Sequence, residues 1–228
     1  MNIQHRYFSL NYELRLRLYD FRYWLQFLRQ RNLAIAHKSF EFNGKTYRYF
    51  IHYHNRTWYN ERAVEIPLAL AFMKRNSGKR VLEVGCVLPH YRCKGHHVLD
   101  KYERFVRNTI RQDVVDYQSA QPYDAIVSIS TLEHVGWDES KRESDKIWRA
   151  VHNLRSMLAE SGQSLITAPI GHNSYLDSAL SQGIFSEAYY LKRISPENYW
   201  EQVDAAEALQ CKYGHPYPNG NAIVVGVL

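Results

Sequence analysis

Leu14, Leu18, Phe21, Leu25 and Leu28 step by four, three, four and three, which predicts a helix with one apolar stripe set among arginines. The stretch FEFNGKTYRYFIHYHN, 40–55, then reads as a hairpin turning at Asn43-Gly44. A helical stretch follows at about 59–75, started or interrupted by Pro67. Ser77-Gly78-Lys79 leads into an apolar strand at 81–85.

Beyond that strand the pattern alternates. HHVLDKY predicts a second strand ending near Asp100, RQDVV (111–115) a third, and YDAIVSIS (123–130) a fourth. DKIWRAVHNLRSMLAES is a helix with Trp148, Val151, Leu154 and Leu158 on one face, and SLITAP (164–169) is a fifth strand. Such alternation predicts an α/β fold with a mostly parallel sheet covered by helices. ALQCKYG and NAIVVGVL flank the turn-rich HPYPNGN and read as a terminal antiparallel hairpin. Residues 170–207 are long for a strand-to-strand connection and are expected to form a lid, with a helix starting at Ser195-Pro196. The expected organisation is a helix-and-hairpin appendage, 1–54, followed by a main domain, 55–228.

Composition narrows the class. A chain of 228 residues with 45% hydrophobic content fits one globular domain. It has no run of eighteen apolar residues, so no membrane span is expected. The N-terminus lacks an apolar signal-peptide segment, and three cysteines do not suggest a disulfide scaffold; a cytoplasmic protein with reduced thiols is the expectation. The net charge of +6 is unevenly placed. Residues 1–38 carry seven basic and two acidic side chains, hence +5, leaving +1 for the remainder. The near-neutral body argues against a broad nucleic-acid footprint. The basic N-terminal helix is expected to dock on the domain or on a partner subunit, giving a homo-oligomer; an anionic membrane surface and RNA are its other two readings.

In open α/β sheets, ligands sit at the carboxyl ends of the strands. Glu83-Val84-Gly85 ends the first strand. Asp100 ends the second, where an acid can take both hydroxyls of a ribose. Asp113-Val114 lies at the third, where an acid can accept from an adenine amino group; Asp116 is close enough to exchange roles. SISTLEHVG, 128–136, follows the fourth. The segment also holds Cys86, His90, Cys93, His96 and His97, softly a zinc set. Cys86 lies at one strand end while His96-His97 open the next strand, and paired C-x₂-C spacings are absent, so no metal is expected.

From VLEVG, VLDKYE, QDVVDY, YDAIVSISTLEHVG and SLITAPIGHN, residues 55–228 resemble the class I S-adenosylmethionine-dependent methyltransferases. They are also similar to a subgroup whose first loop reads Gly85-Cys86-Val87-Leu88-Pro89-His90-Tyr91, preceded by Asn55-Arg56-Thr57 and Asn60-Glu61-Arg62. The resemblance implies a Rossmann-like, doubly wound, seven-stranded sheet with an antiparallel last strand. It implies S-adenosyl-L-methionine as cofactor, with Glu83, Gly85, Cys86, Asp100, Lys101, Asp113, Val114 and Ser130 around it and Asn55, Glu61 and Arg62 closing from the N-terminal side. Val87 and Pro89 stand where a dinucleotide loop would carry glycines. This cofactor has no phosphate, so one close approach at Gly85 suffices; only a stunted helix is expected in 86–96.

Methyl transfer to a hydroxyl needs an aligned acceptor and a proton acceptor. His134 is the first candidate base and His172 the second, with Glu133 assisting or capping a turn. Tyr189, Tyr190 and Trp200 of the expected lid either face the acceptor or pack the lid to the sheet. The expected activity is methylation of a small molecule, at a hydroxyl of a saccharide or secondary metabolite. The rivals are an RNA methyltransferase using the basic N-terminal segment and a catalytically silent binding module.

Overall fold

The computed structural model describes Phe21, Leu25 and residues 35–228. Of the expected N-terminal helix, Phe21 and Leu25 are helical and exposed. The rest of that helix, and its docking, lie outside the described residues. Among the described residues no helix is long and apolar enough to cross a membrane.

The hairpin forms as its turn signal dictates. β1 (Ser39–Phe42) pairs antiparallel with β2 (Lys45–Arg48), and Asn43 and Gly44 both take positive φ, 47° and 69°. That is what a two-residue turn matched to strand twist requires. After a 3₁₀ segment (His54–Tyr59) comes α1 (Arg62–Arg75). Pro67 sits inside α1 and has no N–H for the carbonyl one turn back, at Ala63. Phe50 N–H donates to that carbonyl at 2.9 Å, so the chain leaving the hairpin satisfies the group the proline frees.

The main sheet contains β3 (Val81–Val84), β4 (His97–Leu99), β5 (Thr109–Ile110), β6 (Tyr123–Ile129), β7 (Leu158–Pro169), β8 (Glu187–Arg193), β9 (Trp200–Val203) and β10 (Ala222–Val227). The strand order is β5-β4-β3-β6-β7-β10-β8-β9. The first five are parallel, and β10 runs antiparallel to both β7 and β8. Helices cover both faces. On one, α2 (Lys146–Met157) and α3 (Ser174–Ser181) bury Ile147, Val151, Leu154 and Leu176 against Leu82, Ile126 and Ile166. On the other, α1 buries Val64 and Phe72 against Val81, Ala125 and Leu165. Burial on both faces explains why β3 and β6 are nearly continuous apolar runs. The architecture is the expected Rossmann-like, doubly wound sheet with an antiparallel last strand. Its order reverses between β3 and β6, the place where such sheets open a cleft.

Several local expectations are corrected. The sheet has eight strands because the segment expected as a lid, 170–207, is α3, β8 and β9 followed by a helical turn α4 (Ala205–Ala208). Ser195-Pro196 opens a turn, closed by Asn198 at φ 73°, in place of a helix. No terminal hairpin forms: ALQCKYG contributes to α4 and a turn, while β10 inserts between β7 and β8. The third strand is only Thr109–Ile110, because Asp116 and Tyr117 N–H groups donate to Asp113 O and fold the next residues into a turn. On α2 the buried stripe is Ile147, Ala150, Val151, Leu154 and Met157; Trp148 is 37% exposed. Phe40 and Phe42 of the hairpin share a core with Val81 and Leu165.

The far end of the sheet is tied to the rest by Arg193, which is buried at the end of β8. Its guanidinium donates to the carbonyls of Ser195 (3.0 Å), Pro196 (2.8 Å), Pro218 (3.1 Å) and Tyr59 (3.3 Å), and lies over the Tyr217 ring. Only a planar fork reaches carbonyls in this many directions. Arg193→Ala is therefore expected to lower the unfolding free energy by about 3 kcal/mol or more. Arg193→Lys should recover less than half of it in urea titrations.

Candidate active site

A cleft of about 290 Å³ opens at the carboxyl ends of β3, β4 and β6. Of the predicted cofactor residues, Gly85, Cys86, Asp100, Lys101, Asp113, Val114 and Ser130 line it, as does His134. Gly85 holds φ 85°, and a Cβ there would fall 2.0 Å from Thr131 Oγ1. The glycine is required by backbone conformation and by the close approach of the loop after β6.

Glu83 is placed differently. It is fully buried and does not line the cleft. One carboxylate oxygen accepts from the N–H groups of Val87 (2.8 Å) and Leu88 (2.7 Å), and the other meets His96 Nε2 at 2.6 Å. It shapes the loop from beneath. The segment 86–96 contains only the 3₁₀ turn Leu88–Tyr91, the stunted helix expected there.

Asp100 accepts from Cys86 N–H (3.0 Å) through one oxygen and from Tyr102 and Glu103 N–H (both 2.8 Å) through the other. The oxygen facing Cys86 keeps acceptor capacity for a ligand hydroxyl. Asp113 lies between two ammonium groups, Lys101 Nζ at 2.8 Å and Lys146 Nζ at 2.7 Å. Burial works against its charge, but the Lys101 and Lys146 hydrogen bonds outweigh it and hold the carboxyl down to about 2. Lys146 also grips Glu139 at 2.6 Å, closing a charged rim over the Asp113 side of the cleft.

Across the cleft, Ser130 takes φ 36°, an uncommon conformation for a non-glycine residue, and donates to Glu65 Oε1 at 2.7 Å. His134 is half exposed. Its Nδ1 lies 2.5 Å from Asp138 Oδ2 and its Nε2 lies 3.5 Å from Glu133 Oε1. His172 is outside the cleft lining but near it: Nε2 is 3.5 Å from the same Asp138 oxygen, and its ring stands 5.2 Å from that of His134. Asn173 holds the two loops together. Its amide donates to Glu133 O at 2.8 Å while its oxygen caps α3. Glu133 is buried behind His134.

The expected acceptor residues are elsewhere. Tyr190 and Trp200 are buried in the sheet layers, Tyr189 packs edge-on against Phe42, and none lines the cleft. Their aromatic character serves packing because Tyr189 and Tyr190 lie in β8 and Trp200 in β9. The loose histidine-cysteine set does not converge: His96 is taken by Glu83 and His97 by the Tyr123 hydroxyl. Among the described residues, two smaller groups bring one ligand atom from each member within 4.8 Å of one another, Cys86-His90-Glu103 and His134-Asp138-His172. Sequence reasoning missed Asp138, Glu65, Asn173 and Lys146. Asp138 had a signal, four residues after His134; the others act through tertiary approach.

No protein-family model matches the chain. No curated protein sequence matches it. The structure is similar to the N-methyltransferase NodS from Bradyrhizobium japonicum WM9 in complex with S-adenosyl-L-homocysteine, at 14% identity over 73% of this chain and 85% of that one, with a TM-score of 0.48. It is also similar to an S-adenosylmethionine-dependent methyltransferase from Archaeoglobus fulgidus (14% identity, 70% of this chain, 92% of that chain, TM-score 0.44) and to the sugar N-methyltransferase KedS8 from Streptoalloteichus (13%, 69%, 83%, 0.35).

The depressed Asp113 carboxyl has a pH signature. A carboxylate whose folded value lies below its unfolded one stabilises the fold fully above the unfolded value, and this is lost as pH falls through the folded value. The Asp113 contribution should disappear between 3.8 and about 2. Asp113→Asn should flatten acid unfolding over that interval, followed by circular dichroism.

Proposed function

We propose that the chain is an S-adenosylmethionine-dependent methyltransferase acting on a small molecule, at a hydroxyl oxygen of a saccharide or secondary metabolite. The observation that carries the reading is the cleft at the switch point, where Gly85, Asp100, Asp113, Val114 and Ser130 meet His134. These residue types suit the cofactor. Asp100 offers an oxygen to ribose hydroxyls, the Asp113-Val114 turn faces the place of an adenine, and Gly85 admits a close approach of the ligand to backbone. The bound cofactor would supply a methyl group on a sulfonium, open to in-line displacement.

The chain's own part is to position the acceptor and remove its proton. Asp138 accepts from His134 Nδ1–H, which fixes the ring and leaves Nε2 with its lone pair for the acceptor proton. The His134 hydrogen bond, first among the influences, holds Asp138 below the usual carboxylate range, so it stays ionised and supports a charged imidazole.

Two measurements test the reading. Calorimetry should show S-adenosylhomocysteine binding to the wild type, and Gly85→Ala should abolish it. His134→Ala should reduce methyl transfer about 10²-fold or more with S-adenosylhomocysteine affinity nearly unchanged. Absence of cofactor binding by the wild type defeats the proposal. Near-normal turnover in His134→Ala removes the histidine from it.

A further inference from the structure

Behind the Ser130–His134 wall of the cleft lies a buried group of charges that the reading above does not use. Glu61, Glu65 and Glu133 surround Arg62, and all three carboxyl side chains are buried. Arg62 Nη1 meets Glu65 Oε2 at 2.9 Å, Glu65 Oε1 accepts from Ser130, and Glu61 Oε2 accepts from Gly220 N–H at 2.9 Å. Glu133 is different. Its residue is 2% exposed, yet its Oε2 has no hydrogen-bond partner among the described residues. The charges acting on it are those of Glu65, Arg62 and Glu61, so it faces the group. A buried polar atom left unpaired is costly, and proteins tolerate such atoms mainly where something else completes them.

Three carboxyls around one guanidinium leave an excess of acceptors. Arg62 already serves Glu65, and Gly220 N–H serves Glu61. What the group lacks is a cation with several donors. We infer that Glu133, with Glu61 and Glu65, forms a buried site for an ammonium group of a ligand bound in the adjoining cleft. The chemistry has two sources, the α-ammonium of the cofactor's methionine tail or an amine carried by the acceptor. The first source rests on the methyltransferase reading. In that case Arg62 would receive the carboxylate of the same tail, and side chains of α1 would do what a glycine-poor loop cannot.

Titration adds a second readout. Burial, then the nearby Glu65, pushes the Glu133 carboxyl well above its ordinary range. The groups facing it are Glu61, Arg62, Glu65, Tyr213 and His134; Tyr91 faces Arg62. Burial thus favours the protonated carboxyl of Glu133 in the empty group, an adjacent ammonium favours the ionised form, and ligand binding is expected to release a proton.

The test is calorimetry on the full chain with Glu133→Gln, which matches the neutral form in shape. The probes are S-adenosylhomocysteine, methylthioadenosine (which lacks the amino-acid tail) and methylammonium chloride. If the tail supplies the ammonium, the variant loses about tenfold or more for S-adenosylhomocysteine. Methylthioadenosine affinity then stays constant, and proton release, read from buffers of different ionisation heat, disappears. If the acceptor supplies it, both nucleosides bind the variant normally. Methylammonium then binds the S-adenosylhomocysteine-loaded wild type and not the loaded variant. Affinities for all three probes within twofold of the wild type overturn the inference. A wild type that binds neither nucleoside but takes methylammonium through Glu133 defeats the methyltransferase reading and leaves the ammonium site standing. One that binds none of the three defeats both. Should Glu133→Gln melt early, Glu61→Gln carries the same comparisons.

Discussion

The buried carboxylate of Glu83 is the constraint on which the cleft depends. It sits at full burial in the central strand and collects two backbone N–H groups and an imidazole. A polar group so far from water is tolerated only when its oxygens find partners. That requirement fixes Val87 and Leu88 over the strand end, which places Gly85 against Thr131 and turns Cys86 N–H toward Asp100. The loop needs few glycines because an acid beneath it orders the backbone from below. Val87 and Pro89, anomalous beside a phosphate-binding loop, belong to this other way of building a strand-to-ligand corner.

A hierarchy of charge surrounds that corner. Asp113 is stabilised as an anion between two lysines, Asp138 by a histidine, and Glu133 by nothing of comparable reach. Carboxyls of one chemical type are thus pushed in opposite directions at and around one cleft. Exposure and partner decide each case: the rim acids have cationic partners, while the deepest shares its only guanidinium with two other acids. Division of this kind suits the zwitterionic cofactor and the acceptor proposed for the pocket.

The sheet, its parallel half and the switch-point cleft were legible because they follow from local pattern. Apolar runs ending near Glu83 and Asp100 give strand ends, and Asn43-Gly44 gives a turn without tertiary help. What the chain did not disclose depends on approach in space. Trp200 and Tyr190 look like lid aromatics until β8 and β9 add to the sheet, a pairing no local period specifies. Trp148 fits an apolar face in a helical wheel, but the buried stripe is rotated by one residue. Lys146 meets Asp113 from thirty-three positions away, and Glu65 meets Ser130 from sixty-five. Glu83 illustrates the limit best: its position marked it as important, but its role as an internal support became visible only with its partners.

The two borders of the main sheet are finished differently. On one side β5 is only two residues long. On the other, β9 is shielded by the hairpin, with Asn43 and Gln202 exchanging hydrogen bonds and Trp200 N–H donating to the Tyr49 hydroxyl. An unfinished strand border is a template on which further chains can stack. Here one border is too brief to nucleate stacking and the other is occupied by the protein's own ribbon. The hairpin thus guards a sheet border in addition to its place in the core, and detaching it would uncover the open side of β9.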